Sequence, residues 1–286
     1  MKKKVLVIGG AGFLGSHVAD ELSNRNYIVS IYDKKKSPYL KKNQSGIVYD
    51  TKNKNRIFDE IKKNEVVYYF ADIADIGESK INPLDTINQN ILNLSKILNC
   101  CSKSKIKKFI YASSLYVYND YGSFYRATKQ CAEILVKEFS SQSNFNYKML
   151  RYGSLYGPRA QNWNGIKKFV REILEKKKVT YKGNGNEIRD YIYIKDAAKL
   201  SVDIINSNKN NVFTISGQQS LTVDNLFSIL FEISRIKKKV IYKNTKTLDH
   251  YGMTPYRFTP DNSVKLVPTQ FKDLGEGLLE VFNNEK

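Results

Sequence analysis

Val5-Leu6-Val7-Ile8-Gly9-Gly10-Ala11-Gly12-Phe13-Leu14-Gly15 is the stretch that decides the fold. Four consecutive apolar residues, three of them β-branched or flanked by such, read as a short strand buried on both faces. The chain then turns at once through glycines spaced GxxGxxG (Gly9, Gly12, Gly15) and opens a helical pattern over Gly15–Asn24. A glycine motif alone is weak, but strand, glycine turn and helix together are specific. Glycines allow the tight turn and let backbone N–H groups reach a pyrophosphate, whose charge the helix N-terminus favours. Gly9, Gly12, Phe13, Leu14 and Gly15 are therefore expected to hold a dinucleotide. Asp33 lies 18 residues beyond Gly15, at the end of the next strand-like run, where an acid accepts hydrogen bonds from the adenosine ribose hydroxyls. A carboxylate there repels a 2′-phosphate and points to NAD rather than NADP, although Lys34, Lys35 and Lys36 beside it could neutralise such a phosphate. Asp50, just after the third strand, is placed to reach the adenine amino group or is a plain turn residue. Ala71, at the end of the fourth strand, is also assigned to the cofactor.

Working outward, strand-like and helix-like segments alternate, as βαβ units on a parallel sheet do. Strands are predicted at Val5–Ile8, Tyr27–Tyr32, Gly46–Tyr49, Val66–Phe70, Phe109–Ala112 and Tyr147–Leu150. Helices are predicted at Asn55–Lys63, Asp85–Cys101 and Tyr125–Phe139. From about residue 153 the pattern loosens, and Gly153, Gly157, Gly165, Gly183 and Gly185 punctuate segments that read as loops around a ligand. Helical patterns return near Leu221–Ile233 and Leu274–Phe282. The expected fold is α/β, a Rossmann-type doubly wound parallel sheet with a smaller C-terminal substrate-binding lobe. Residues 1–152, with a return segment at about 189–213, are expected to form the NAD-binding domain, and 153–188 with 214–286 the substrate-binding lobe.

Composition narrows the classes. With 286 residues, the chain can bury a sizeable core without disulfide or metal staples. No apolar run approaches the roughly 18 residues of a membrane helix, and Val5–Ile8 is too short for a signal peptide, so a soluble cytoplasmic protein is expected, with no membrane partner. The 47 basic and 28 acidic residues leave a net charge of +19. The lysines form short clusters at element ends (Lys34–Lys36, Lys176–Lys178, Lys237–Lys239) rather than a stripe, which favours solvated charge and help for an anionic ligand over nucleic acid. Cys100, Cys101 and Cys131 make neither a metal site nor a disulfide framework.

Tyr125 and Lys129, in Tyr125-Arg126-Ala127-Thr128-Lys129, fall one helical turn apart on one face. A tyrosine must be made more acidic to act as a base near neutrality, and an ammonium together with the nicotinamide charge favours its phenolate. Ser114, just past the fifth strand, is placed to hydrogen-bond the same substrate oxygen.

With these motifs the chain resembles the extended short-chain dehydrogenase/reductases, specifically the nucleotide-sugar epimerase/dehydratase family typified by UDP-galactose 4-epimerase. Further segments carry the resemblance. Tyr111-Ala112-Ser113-Ser114-Leu115-Tyr116-Val117-Tyr118 is similar to the family's serine-containing strand end, and Asn90 to an asparagine of its fourth-helix region. Arg151-Tyr152-Gly153-Ser154-Leu155-Tyr156-Gly157-Pro158-Arg159 resembles RYxNVYGPR, and Gly183 to Asp196 resembles GxGxxxRDYIxVxD. The resemblance implies that Tyr125 takes a proton from a sugar hydroxyl, commonly at C4, that Lys129 holds the nicotinamide ribose, and that Ser114 orients the developing ketone. Ser154 and Arg189 would contact the nucleotide sugar, Arg189 and Arg257 its diphosphate, and no metal is called for. A homodimer through a four-helix interface and a role in surface polysaccharide synthesis are likewise implied.

Family dehydratases carry an Asp-Glu pair after the hydroxyl residue; here Leu115 and Tyr116 stand there, which disfavours elimination. His17 and His250 are expected to be packed or solvated and to offer no substitute. Ser154 replaces an asparagine, Tyr193 a histidine, and Asp72 and Asp75 are unusual acids near the sugar pocket. The reading is a nucleotide-sugar 4-epimerase. A net C4 dehydrogenase or ketoreductase is the alternative, and a non-catalytic NAD-sensing binding protein the remote one.

Overall fold

The structure, a computed structural model, describes residues 2–48, 54–243, 250–254 and 263–286. In chain order the first part runs β1 (Lys4–Ile8), α1 (Phe13–Asn24), β2 (Ile28–Asp33), β3 (Gln44–Val48), α2 (Lys54–Lys62) and β4 (Val66–Tyr69). Then come α3 (Ile76–Ile81), α4 (Pro83–Ile87), a π-helical stretch (Asn88–Asn93), α5 (Leu94–Ser102), β5 (Lys108–Ser114), α6 (Ser123–Ser141) and β6 (Asn146–Tyr152). The remainder is β7 (Ser154–Tyr156), α7 (Gly165–Lys176), β8 (Val179–Lys182), β9 (Ile188–Tyr193), α8 (Ile194–Asp203), β10 (Asn211–Ile215), β11 (Ser220–Thr222), α9 (Val223–Ser234), β12 (Val240–Lys243), β13 (Val264–Lys265) and α10 (Leu274–Glu285).

The large sheet has the order β13-β10-β6-β5-β4-β1-β2-β3, and every adjacent pair is parallel. Alternation along β1 explains why it is apolar throughout. Val5 and Val7 pack on one face with Val18, Ala19 and Leu22 of α1, while Leu6 and Ile8 pack on the other with Leu94, Ile97, Ala132 and Val136. The order reverses beside β1: β2 lies on one side and β4 on the other, so the glycine turn opens at the switch point where ligands of such sheets sit. A third core gathers Ile166, Val170, Phe227, Leu230, Leu278 and Phe282 from α7, α9 and α10 around two small sheets, β11-β9-β7 and β12-β8.

The second half holds more helix than its sequence pattern suggested. Gly165 opens α7, where the Asn164 side chain accepts from the Lys167 amide and caps the helix. Helix α8 also escaped the reading, because it is buried along most of its length and only the narrow stripe of Lys195, Lys199 and Asp203 faces solvent. The single helix expected over Asp85–Cys101 is instead α4, a π-helical stretch and α5.

Candidate active site

The turn between β1 and α1 is shaped by lack of room. Gly9 has φ of 80°, and a Cβ there would lie 2.7 Å from backbone atoms of Phe70 and Ala71 after β4. A Cβ on Gly15 would overlap the Gly9 carbonyl oxygen. Gly12 precedes α1 without offering a side-chain cap, so the first N–H groups of the helix have neither an intrahelical nor a side-chain partner. The result is a backbone cradle with a positive helix end, which fits the pyrophosphate of a dinucleotide. Asp33, ending β2, braces this loop: Oδ2 accepts from the Ala11 amide at 2.9 Å and Oδ1 from the Lys35 amide at 3.2 Å.

A cavity of about 410 Å³ opens in front of the loop. Gly9, Gly12, Phe13, Leu14 and Gly15 line one side; Ser114, Tyr125, Lys129, Ser154 and Arg189 line the rest. Asp33 and Ala71 flank the loop without lining the cavity. Asp50 and Arg257 lie outside the described residues.

Helix α6 carries Tyr125 and Lys129 and is anchored by buried polar groups. Glu133 accepts two bonds from Arg151 on β6, at 2.8 and 2.7 Å, and one from Ser113 on β5, at 2.6 Å. Breaking such a pair by removing one partner costs about 3–5 kcal/mol, so the helix is held firmly to the sheet. The Lys129 Nζ lies 5.7 Å from the centre of the Tyr125 ring and 4.8 Å from that of Tyr111. It donates to Asp72 Oδ2 at 2.6 Å and to the Ala112 carbonyl at 2.5 Å. Burial works against the ammonium, but Asp72 outweighs it and holds Lys129 charged beyond the ordinary lysine range. Ser114 ends β5 at the same edge of the sheet, its Oγ accepting from the Tyr116 amide at 3.3 Å.

The opposite wall comes from distant segments. Arg189 stacks over the Tyr251 ring, 4.5 Å from its centre, and donates to the Gly252 carbonyl at 3.4 Å. Tyr251 in turn packs on Tyr116, with ring centres 4.7 Å apart, and lines the cavity with Ser154. Burial raises the pKa of Tyr251 above its ordinary range and that of Tyr116 well above it, which keeps both as neutral phenols.

Several expectations need correction. His250 is exposed but not merely solvated: it lines the cavity, and its Nδ1 is 2.5 Å from the Tyr116 hydroxyl. His17, by contrast, is packed, one of the two placements expected for it: it lies against the Pro158 carbonyl, and burial lowers its pKa to about 4. The two acids after β4 part company: Asp75 caps α3, while Asp72 enters the cavity. Tyr193 bonds Glu280, away from the cavity. Trp163, His250 and Tyr251 had no motif to reveal them, because only the folded chain brings them to the site.

The sequence profile of the NAD dependent epimerase/dehydratase family matches residues 5–216. The chain belongs to this NAD-dependent family of nucleotide-sugar enzymes. It is 29% identical over 269 residues to a putative UDP-glucose 4-epimerase of Methanocaldococcus jannaschii, covering 86% of this chain and 88% of that one. It is 27% identical over 270 residues to a UDP-N-acetyl-alpha-D-glucosaminuronate decarboxylase of Bacillus cytotoxicus, covering 85% and 84%. Among solved structures, the UDP-glucose 4-epimerase of Thermotoga maritima with UDP-glucose superposes with a TM-score of 0.84, at 26% identity over 99% of this chain and 98% of that one.

Proposed function

We propose that the protein oxidises a nucleotide-diphosphate sugar at C4 and returns it as the C4 epimer. The observation that carries this reading is the stacking of Tyr125 over the buried Lys129 ammonium, on the rim of the cavity that the glycine cradle opens. In this scheme Gly9, Gly12, Phe13, Leu14 and Gly15 hold the NAD pyrophosphate, with Asp33 and Ala71 beside them. NAD, when bound, accepts the electron pair and hydrogen from the sugar carbon. Tyr125 takes the proton of the C4 hydroxyl, and the Lys129 ammonium stabilises the resulting phenolate electrostatically. Ser114 donates to the developing carbonyl oxygen. Arg189 grips the diphosphate, a task suited to a planar guanidinium, and Ser154 contacts the sugar beside it.

Epimerisation is favoured over elimination by what the cavity lacks. Among the described lining residues the one carboxylate is Asp72, and Lys129 occupies it. Leu115, where family dehydratases place an acid, is fully buried and lines no part of the cavity. Among the described residues no second carboxylate lines the cavity to remove a proton from C5. We further propose a homodimer through the outer faces of α4, the π-helical stretch and α6, where Leu84, Leu92, Phe124 and Ile134 expose large apolar groups. Supply of sugars to surface polysaccharide is the context this chemistry suits.

The test is to add a panel of UDP-, GDP- and dTDP-sugars to the NAD-loaded protein and to follow cofactor absorbance and products together. A C4-inverted sugar with no lasting NADH is expected. Lasting NADH with a released ketone would establish a net dehydrogenase instead, and carbon dioxide from a uronic acid a decarboxylase.

A further inference from the structure

Asp72 is a buried carboxylate that the proposed reaction does not use. Its side chain is 3% exposed and that of Lys129 4%. Oδ2 accepts from Lys129 Nζ at 2.6 Å and from the Tyr111 hydroxyl at 3.1 Å, while Oδ1 is buried with no hydrogen-bond partner among the described residues. A buried carboxylate oxygen left unsatisfied is costly, so a donor supplied from the cavity accounts for it better than an empty site does. The backbone holding Asp72 is fixed on both sides. Phe70 and Ala71 lie against Gly9. Beyond Asp72, the Ile73 amide donates to Asn90 Oδ1 at 2.7 Å, and Asn90 Nδ2 donates to the Ile73 carbonyl at 3.0 Å and to Thr128 Oγ1 at 3.1 Å. Asp72 is thus pinned between the glycine cradle and the helix that carries Lys129.

We propose that Asp72 is a positioning residue: Oδ2 anchors the Lys129 ammonium beneath Tyr125, and Oδ1 accepts a hydroxyl of the ribose next to the nicotinamide. This rests on the Tyr125 and Lys129 roles given above. A diol is both donor and acceptor, so an ammonium and a carboxylate side by side match it as neither does alone. Four groups face Lys129: Asp72 and Tyr111 from the sheet side, Tyr125 and Glu133 from its own helix. Glu133 is already neutralised by Arg151, and burial pushes the Tyr111 phenol well away from ionisation. Asp72 is therefore the anion that keeps Lys129 protonated against its burial. Without it burial prevails, and the ammonium is lost at a lower pH than before.

Asp72→Asn keeps the shape and removes the charge. NAD binding is measured by calorimetry on protein freed of cofactor, and the rate of sugar epimerisation is measured across pH. Binding weakened roughly ten- to a hundredfold is expected. So is an alkaline limb of kcat displaced to lower pH, with the KM for the nucleotide sugar changed less than about threefold. Asp72→Glu should recover part of the binding. A folded Asp72→Asn variant with unchanged NAD affinity and an unmoved alkaline limb overturns the proposal. Should Asp72→Asn fail to fold, Asp72→Gly, which admits water beside the ammonium, is read in the same way. If the parent protein binds NAD but inverts no sugar of the panel at C4, the proposed function fails, while the binding comparison still decides the role of Asp72.

Discussion

The two walls of the cavity are made in different ways. The cofactor wall is one continuous stretch, Gly9 to Gly15, in which backbone N–H groups and absent side chains do the shaping. The facing wall is assembled from Tyr116, Ser154, Arg189, His250 and Tyr251, in which Tyr251 packs on Arg189 and Tyr116 while Tyr116 meets His250. A wall of backbone has little tolerance, since a Cβ on Gly9 or Gly15 meets backbone atoms that cannot easily move away. A wall of side chains yields by degrees, which suits a family whose members act on different sugars.

This contrast predicts graded effects of substitution. Tyr125 stands where the walls meet, so Tyr125→Phe should reduce the rate of sugar epimerisation by about 10²–10⁴ with NAD affinity kept. Retained rate in that variant would hand proton transfer to Tyr116 or His250 and move the chemistry to the other wall. Gly15→Val should weaken NAD binding on the order of a hundredfold or more, read by calorimetry, because its branched side chain displaces the Gly9 carbonyl. On the side-chain wall, Arg189→Ala should raise KM for the nucleotide sugar roughly tenfold or more and leave kcat within about threefold. Equal loss of kcat and kcat/KM would show that Arg189 acts in the transition state. His250→Gln, which keeps a polar group near the Tyr116 hydroxyl, should change kcat/KM only about two- to fivefold.

The same contrast explains what the sequence disclosed. The glycine spacing, the apolar run before it and the one-turn separation of Tyr125 and Lys129 are local, so the parallel sheet and the NAD dependence were readable from residues near in the chain. Strand β5 proved longer than Phe109–Ala112 because Ser113 is buried against Glu133, a partner that only α6 brings close. Helix α7 was hidden by Gly165, whose apparent role as a breaker is cancelled by the Asn164 cap and the inward face of Ile166, Val170 and Ile173. Asp72 was visible as an unusual acid, but its pairing with Lys129 joins residues 57 apart in the chain. His250 carried no local signal at all.

The central claim is that Tyr125 and Lys129 drive reversible oxidation at C4. Its most direct test is a nucleotide sugar deuterated at single carbons, given to the NAD-loaded protein under single-turnover conditions. Deuterium at C4 should slow turnover and remain in the epimerised product, while deuterium at C3 or C5 should have no effect and should not exchange with water. Loss of label from C5 to solvent, with C4 deuterium kinetically silent, would contradict the account.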